Sequence, residues 1–258
     1  MSLSMKEALK NISPLKIGVV SLRAIRNKYS IISKLGLLFS FFSEYRAYQK
    51  LSANTRFSLQ TRDLYPQIYD RTRTTPIDIV YFYQDAWCAR KVFEDKPVRH
   101  YDVGSTAKMI GIISQFTPTT MIDIRPLQVS LAGLSFIEGD ILHLPFKDGE
   151  ILSLSSICVV EHIGLGRYGD ALDQFGSEKA IRELIRVLAK GGALYISVPI
   201  DDQNRVYFNA HRAFTREYIL ELTKDLTLME EQYIYGGALY ATYDPLKGFG
   251  TGLYYFKR

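Results

Sequence analysis

VRHYDVGSTAKMIGIISQFTPTTMIDIRPLQVSLAGLSFIEGD, residues 98–140, holds three short β-rich runs, each with a carboxylate near its C-terminal end. Val98–Gly104 contains Asp102, Thr119–Ile124 contains Asp123, and Leu134–Ile137 is followed by Asp140. The β-rich composition of these runs predicts three strands, with a helix over Ala107–Phe116 between the first two. Downstream, Ile151–Ser156 reads as a fourth strand and Ala193–Pro199 as a fifth. Between them Glu178–Ala189 places Ile181, Leu184, Ile185 and Leu188 on one helical face, and Gly191-Gly192 reads as its C-terminal stop. Strands alternating with helices imply a doubly wound, mostly parallel α/β sheet. The end of the chain breaks that rhythm. Leu226–Tyr235 and Gly252–Arg258 are joined by a loop holding Gly236, Gly237, Pro245, Gly248 and Gly250, with no helical pattern between them. They are predicted to pair antiparallel at the sheet edge.

Upstream the texture differs. Residues 1–60 carry ten Lys and Arg against Glu7 and Glu44, while the rest of the chain carries 22 basic and 25 acidic residues. The net charge of +5 therefore belongs to the N-terminal segment, and the nearly neutral remainder argues against a nucleic-acid footprint. Residues 1–60 read as two or three helices broken at Ser13-Pro14, and the polar stretch Arg56–Pro76 as a connection. We divide the chain into a basic helical extension, 1–76, and an α/β domain, 77–258, that opens with a helix over Ile77–Phe93. Ile31–Phe42 is the most apolar stretch but falls short of the ~20 residues that span a bilayer. It reads either as a helix packed on a core or, with Arg23, Arg26, Lys28 and Lys34, as a peripheral membrane contact within residues 16–50. No signal peptide is found, and Cys88 and Cys158 stand alone, so a cytoplasmic, reducing setting is expected.

In sheets of this kind ligands bind at the carboxyl ends of the strands, where strand order reverses. Gly104 and Ser105 follow the first strand, where glycine lets backbone approach a ligand and the next helix offers free N–H groups. Asp102 there suits a cationic amino group, or marks an ordinary turn. Asp123, 21 residues on, suits a ribose diol, or pairs with Arg125. Asp140 suits an exocyclic amine with Ile141 against the ring, or caps a turn. One carboxylate after each of three consecutive strands is the feature that points to a nucleoside-bearing ligand.

From Tyr101 to Pro199 the chain resembles class I S-adenosylmethionine-dependent methyltransferases. YDVGS, IDIRP, GDILHLPF, VVEHI and ELIRVLAKGGALYISVP carry the likeness. EHIGLGRYGD (161–170) and FNAHRAF (208–214) resemble an uncharacterised branch of methyltransferase-like proteins that also has a segment matched by Tyr83, Gln84, Asp85 and Trp87. The resemblance implies a seven-stranded Rossmann-like sheet, S-adenosylmethionine as cofactor with S-adenosylhomocysteine as product, and Asp102, Gly104, Ser105, Asp123, Asp140 and Ile141 as the residues that hold it. Of the usual glycine-rich loop only Gly104 is kept, with Thr106 and Lys108 at the second and third glycine positions.

His162, after the fourth strand, is the candidate base for an acceptor's proton, with His211 in reserve; alternatively Glu161-His162 holds its loop by hydrogen bonding. Arg167, Asn209 and Arg212, with Tyr83 and Gln84, are the candidate acceptor contacts. Arg167 reads equally as the partner of Asp170, and Asn209 as a turn cap. The four histidines have no metal-ligand spacing, so no metal is expected. No GxGxxG follows a strand, which disfavours a dehydrogenase. The expected activity is methyl transfer to a small acceptor such as a sugar or glycan precursor. The alternatives are a non-catalytic nucleotide-binding module of the same fold, or a membrane-associated partner in surface-glycan assembly.

Overall fold

A computed structural model describes residues 31–51 and 56–258. The chain divides into two compact units, 1–76 and 77–258. In the first, α1 (Ile31–Gln49) runs unbroken through Gly36. Phe42 and Leu64 are buried together with Phe41 and Tyr45 against them, Leu64 arriving just after a 3₁₀ turn at Thr61–Asp63. Arg23, Arg26, Lys28 and the break expected at Ser13-Pro14 lie outside the described residues. Among the described residues no helix is long and apolar enough to cross a membrane.

The second unit begins with α2 (Ile79–Asp95), whose N-cap Asp78 accepts from Val80 N and Tyr81 N. Lys96 ends it in the left-handed conformation, φ 46°. The parallel strands follow: β1 (His100–Val103), β2 (Thr119–Asp123), β3 (Leu134–Glu138), β4 (Ile151–Ile157) and β5 (Leu188–Ile200). α3 (Ala107–Ile113) lies between β1 and β2, and α4 (Gly176–Val187) between β4 and β5. A ribbon of β6 (Arg205–Tyr207) and β7 (His211–Ala213) precedes α5 (Arg216–Leu222). The chain then forms β8 (Thr227–Tyr235), β9 (Ala238–Tyr240) and β10 (Gly250–Lys257). The sheet order is β3-β2-β1-β4-β5-β10-β8-β9, with β10 antiparallel to both β5 and β8. The expected doubly wound sheet with an antiparallel C-terminal pair is present. β9 is an eighth strand that the loop composition did not announce.

Both faces are apolar, as a parallel sheet requires. Trp87, Cys88 and Val92 of α2 and Met109, Ile110 and Ile113 of α3 cover one face, meeting Met121, Ile157, Tyr195 and Leu253. Ile181, Leu184 and Val187 of α4 and Ile219 of α5 cover the other, meeting Val103, Ile122, Leu194, Ile196 and Val198. β1 and β4 are the central neighbours, with Asp102 opposite Ser155. Strand order reverses here, β2 and β3 lying to one side and β5 to the other.

One boundary differs from expectation. α4 stops at Val187 and the chain is extended from Leu188, so Gly191-Gly192 is not the helix stop. Gly191, at φ 77°, lies within the strand, where its N–H donates to Arg258 O. Arg258 donates in turn to the carbonyls of Ile185 and Leu188. The C-terminus thus satisfies the last helical carbonyls that a C-cap glycine motif would otherwise serve.

Candidate active site

A cleft of about 580 Å³ opens at the carboxyl ends of β1 to β4. Gly104 after β1, Asp123 at the end of β2, Asp140 and Ile141 after β3, and His162 after β4 all line it. These are the predicted residues that the fold brings together. Gly104 sits at φ 72°, and a Cβ there would lie 2.9 Å from Val159 Cγ1, so only glycine leaves this wall open.

Asp123 is nearly buried, and its Oδ1 accepts from the Arg125 amide at 2.8 Å. The Arg125 guanidinium closes on both carboxylate oxygens at 3.2 and 3.3 Å. The Asp123–Arg125 pair is thus real, but it lies inside the cleft, where Arg125 is itself a lining residue. Asp140 accepts from Leu142 N with Oδ1 at 2.9 Å. Ile141, Leu142, Ile124 and Val159 supply apolar walls.

Asp102 does not reach this cleft. Its side chain is fully buried, with Oδ1 accepting from Ser105 N at 3.1 Å and Oδ2 from Ser105 Oγ at 2.6 Å and from Ser155 Oγ. His100, equally buried, lies 2.8 Å by Nδ1 from Ser153 Oγ and 2.9 Å by Nε2 from Ser155 Oγ. Because the Ser155 hydroxyl hydrogen goes to Asp102, His100 Nε2–H donates to Ser155 and Nδ1 accepts from Ser153. Burial pushes the imidazole down to about 3 and the Asp102 carboxyl up to about 6. Ser105 Oγ also accepts from Ile157 N at 2.9 Å. Asp102 and Ser105 therefore tie β1 to β4, a correction to their reading as ligand contacts.

The segment after β4 forms the other wall. Gly164, Gly166 and Gly169 all have positive φ, and at Gly164 a Cβ would fall 2.1 Å from Asp173 O. The loop they permit is held by Asp170, which accepts from Gly164 N, Gly166 N and Tyr168 N. Asp170 thus serves backbone donors rather than Arg167. Tyr168 lies at the cleft with the Arg125 guanidinium 4.9 Å and the Arg167 guanidinium 5.2 Å from its ring centre. The His162 ring meets Tyr168 edge to face at 5.7 Å. His162 Nδ1–H donates to Ala210 O at 2.6 Å, which leaves Nε2 as the acceptor, and burial pushes the imidazole down to about 4. Nε2 lies 3.6 Å from Glu161 Oε1.

The remaining predicted contacts have other employment. Arg212 is buried, donating to Ile163 O, Ser177 Oγ, Asp173 O and Gln174 O, so it clamps the loop to α4 instead of facing a substrate. Asn209 turns the β6–β7 ribbon at φ 62° and is exposed. His211 makes tilted ring contacts with Tyr207 and Phe249 and does not line the cleft. Arg167 donates to Ala210 O at the rim. Tyr83 and Gln84 stand on α2 outside the lining. Gln84 is fully buried and accepts from Cys158 Sγ and Ser197 Oγ, each at 3.0 Å. Cys158, Arg125, Tyr168 and Asp170 are lining residues that no motif reading assigned. Only the positive-φ cysteine directly after β4, φ 52°, marks its position, and that is a structural signal.

Three comparisons bear on this geometry. Residues 150–223 match a family model described as "Caenorhabditis protein of unknown function, DUF268". No curated protein matches the sequence. Among solved structures, the [4+2]-cyclase SpnF is 15% identical, with a TM-score of 0.52 over 67% of this chain and 80% of its own. A protein of Galdieria sulphuraria assigned as a sarcosine dimethylglycine methyltransferase is 13% identical, with a TM-score of 0.52 over 68% of this chain and 85% of its own. At such identities the likeness speaks for architecture alone, and the architecture is that of the class I methyltransferases.

Proposed function

We propose that this chain transfers a methyl group from S-adenosylmethionine to a small-molecule acceptor. The observation that carries the reading is the convergence of Gly104, Asp123, Asp140 and Ile141 on one cleft at the carboxyl ends of consecutive parallel strands. The residues present fit the adenosyl part. Asp123 offers a carboxylate to the ribose hydroxyls, sharing its oxygens with Arg125, and the open wall at Gly104 lets backbone approach. Asp140 keeps one oxygen for an exocyclic amine while the other accepts from Leu142 N, and Ile141 and Leu142 flank the ring. Thr106 and Lys108, which replace two loop glycines, do not line the cleft.

When bound, the cofactor supplies an electrophilic methyl carbon, so the protein's work is alignment, exclusion of water and removal of a proton. Tyr168 and the glycine loop wall off the cleft beside His162. His162 is neutral at ordinary pH, and its donation to Ala210 O presents Nε2 as the proton acceptor. Calorimetry and thermal shift of the full chain with S-adenosylmethionine and S-adenosylhomocysteine test the reading. Binding is expected, weakened at least ~10-fold in Asp123→Ala, as loss of bonds to a charged acceptor predicts. Neither heat nor thermal shift at millimolar ligand would end it.

The altered glycine loop favours one rival, a module that binds the same ligand without catalysis. Formation of S-adenosylhomocysteine with an acceptor library separates the two.

A further inference from the structure

Among the described residues two cationic side chains line the cleft, Arg125 and Lys179, and they are engaged differently. Lys179 of α4 pairs at 2.6 Å with Asp173 of the preceding loop, so both partners belong to one wall. Arg125 joins two walls. It stands just after β2, where its guanidinium meets the Asp123 carboxylate. The same guanidinium lies 4.9 Å from the ring centre of Tyr168, in the loop after β4. Tyr168 is fixed in turn by its amide, which donates to Asp170. Arg167, 5.2 Å from the same ring, is part of that loop and adds no tie to β2.

The hold on Asp123 is firm where backbone makes it and loose where the side chain does. The Arg125 amide donates to Oδ1 at 2.8 Å, whereas Nε and Nη2 stand at 3.2 and 3.3 Å, long for charge-assisted bonds. The Asp123 side chain is 8% exposed and that of Arg125 61%. An ion pair with one partner so exposed contributes little, so the guanidinium can be exchanged for another donor at small cost. One kind of ligand compels the exchange. A carboxylate offers about four acceptor positions, two on each oxygen. Oδ1 already serves the Arg125 amide and Nε, and Oδ2 serves Nη2, which leaves a position on Oδ2 alone. A vicinal diol donating to both oxygens therefore requires the Nε bond to break.

We infer that Arg125 is a strap across the cleft, tying the end of β2 to the Tyr168 loop and competing with a ligand's vicinal diol for Asp123. Arrival of the diol breaks the Nε bond and leaves the amide bond in place. The strap is a property of the protein whatever ligand releases it; that the diol is the ribose of a methyl donor rests on the function proposed above. Arg125 touches no reacting atom and is a positioning residue. The sign of its effect is unusual. Removing this lining side chain strengthens ligand binding, because it takes away a competitor for the carboxylate rather than a contact.

The test combines hydrogen exchange and calorimetry on the full chain, in wild type, Arg125→Ala, Tyr168→Ala and the double variant. With no nucleoside added, Arg125→Ala should accelerate exchange of the Gly166 and Tyr168 amides about 2–5-fold, the range for a cation over an exposed ring. Tyr168→Ala also loses Arg167 and His162 and should accelerate it more. The double variant should then match Tyr168→Ala, because the contact Arg125 makes is already gone. No acceleration in Arg125→Ala, or additive effects in the double variant, overturns the strap. In calorimetry Arg125→Ala should bind S-adenosylhomocysteine about 3–5-fold tighter than wild type, as release from a partly exposed ion pair predicts. The 2′-deoxy analogue, whose single hydroxyl fits the position left on Oδ2, should bind both proteins alike and so show the fold intact. Binding of S-adenosylhomocysteine that is unchanged or weaker in Arg125→Ala overturns the competition. If no nucleoside binds either protein the methyl-donor reading fails, and the exchange rates alone decide the strap.

Discussion

Replacing Arg212 with methionine separates a clamp from a substrate contact. Its guanidinium makes four bonds: to Ile163 O at 2.5 Å, Ser177 Oγ at 3.0 Å, Asp173 O at 2.8 Å and Gln174 O at 3.3 Å. The first three are well formed, and the Gln174 contact is long. Bonds to a charged group are each worth about 1.5–3 kcal/mol, and they are not additive where one group serves several partners. Methionine conserves the apolar stem but leaves the Ile163 and Asp173 carbonyls short of a donor, for a total near 3–5 kcal/mol. For a unit of this length each kcal/mol moves Tm by about 2–4 °C, so a fall of roughly 6–20 °C is expected. Arg212→Lys, which keeps charge without the planar fork, should lie between. Thermal unfolding followed by circular dichroism, with and without S-adenosylhomocysteine, reads the effect. An unchanged Tm combined with lost acceptor turnover would refute the clamp and restore Arg212 to the substrate.

Three further outcomes follow from the same geometry. Gly104→Val, placing a branched side chain at φ 72° against Val159, should cost about 1–3 kcal/mol in backbone strain and abolish nucleoside binding by calorimetry; retained binding would show that backbone at this wall does not approach the ligand. Asp170→Ala removes the acceptor for three loop amides, so hydrogen exchange at Gly164, Gly166 and Tyr168 should accelerate at least ~10-fold, and unchanged protection would mean that Arg212 alone orders the loop. Glu161 is protonated in the fold up to about pH 8 but ionises near 4.5 when unfolded, so its contribution to stability is full below 4.5 and lost as pH rises to 8. Glu161→Gln should therefore gain stability relative to wild type across that interval, measured by urea unfolding at several pH values, and parallel curves would refute the assignment. His162, lowered from 6.5 to about 4, acts on the opposite limb, its contribution being lost as pH falls through that range.

What the sequence disclosed was whatever depends on a neighbour along the chain. Asp123 and Asp140 could be placed because each lies at or just after a short apolar run, and a strand end is a local property. The antiparallel β8–β10 pair could be placed because no helical period intervenes. What stayed hidden depends on register between distant segments. Asp102 looked like Asp123 in sequence, but Ser155 stands opposite it on β4, 53 residues away, and supplies the donor that closes its coordination. Arg212 looked like a rim contact after β5. Its place on β7, whose residues 212 and 213 turn inward, sends it instead beneath the loop. Gly191-Gly192 looked like a helix stop because Arg258, which serves the end of α4, is 67 residues further on. Tyr168 and Arg125 come from unrelated segments and meet only across the cleft.

The substitution at the second loop glycine follows from the same long-range bookkeeping. A glycine there serves where a side chain would obstruct the ligand. Thr106 avoids obstruction because its hydroxyl is used twice away from the cleft, accepting from Met109 N as the cap of α3 and donating to Asp85 Oδ2. The second of these bonds ties Asp85 of α2 to the loop after β1. With Asp102 engaged inside the sheet by two serines, β1 presents no carboxylate to a ligand. Thr106 thus ties the loop after β1 to the helix that precedes the strand, while Asp102 stays engaged between β1 and β4.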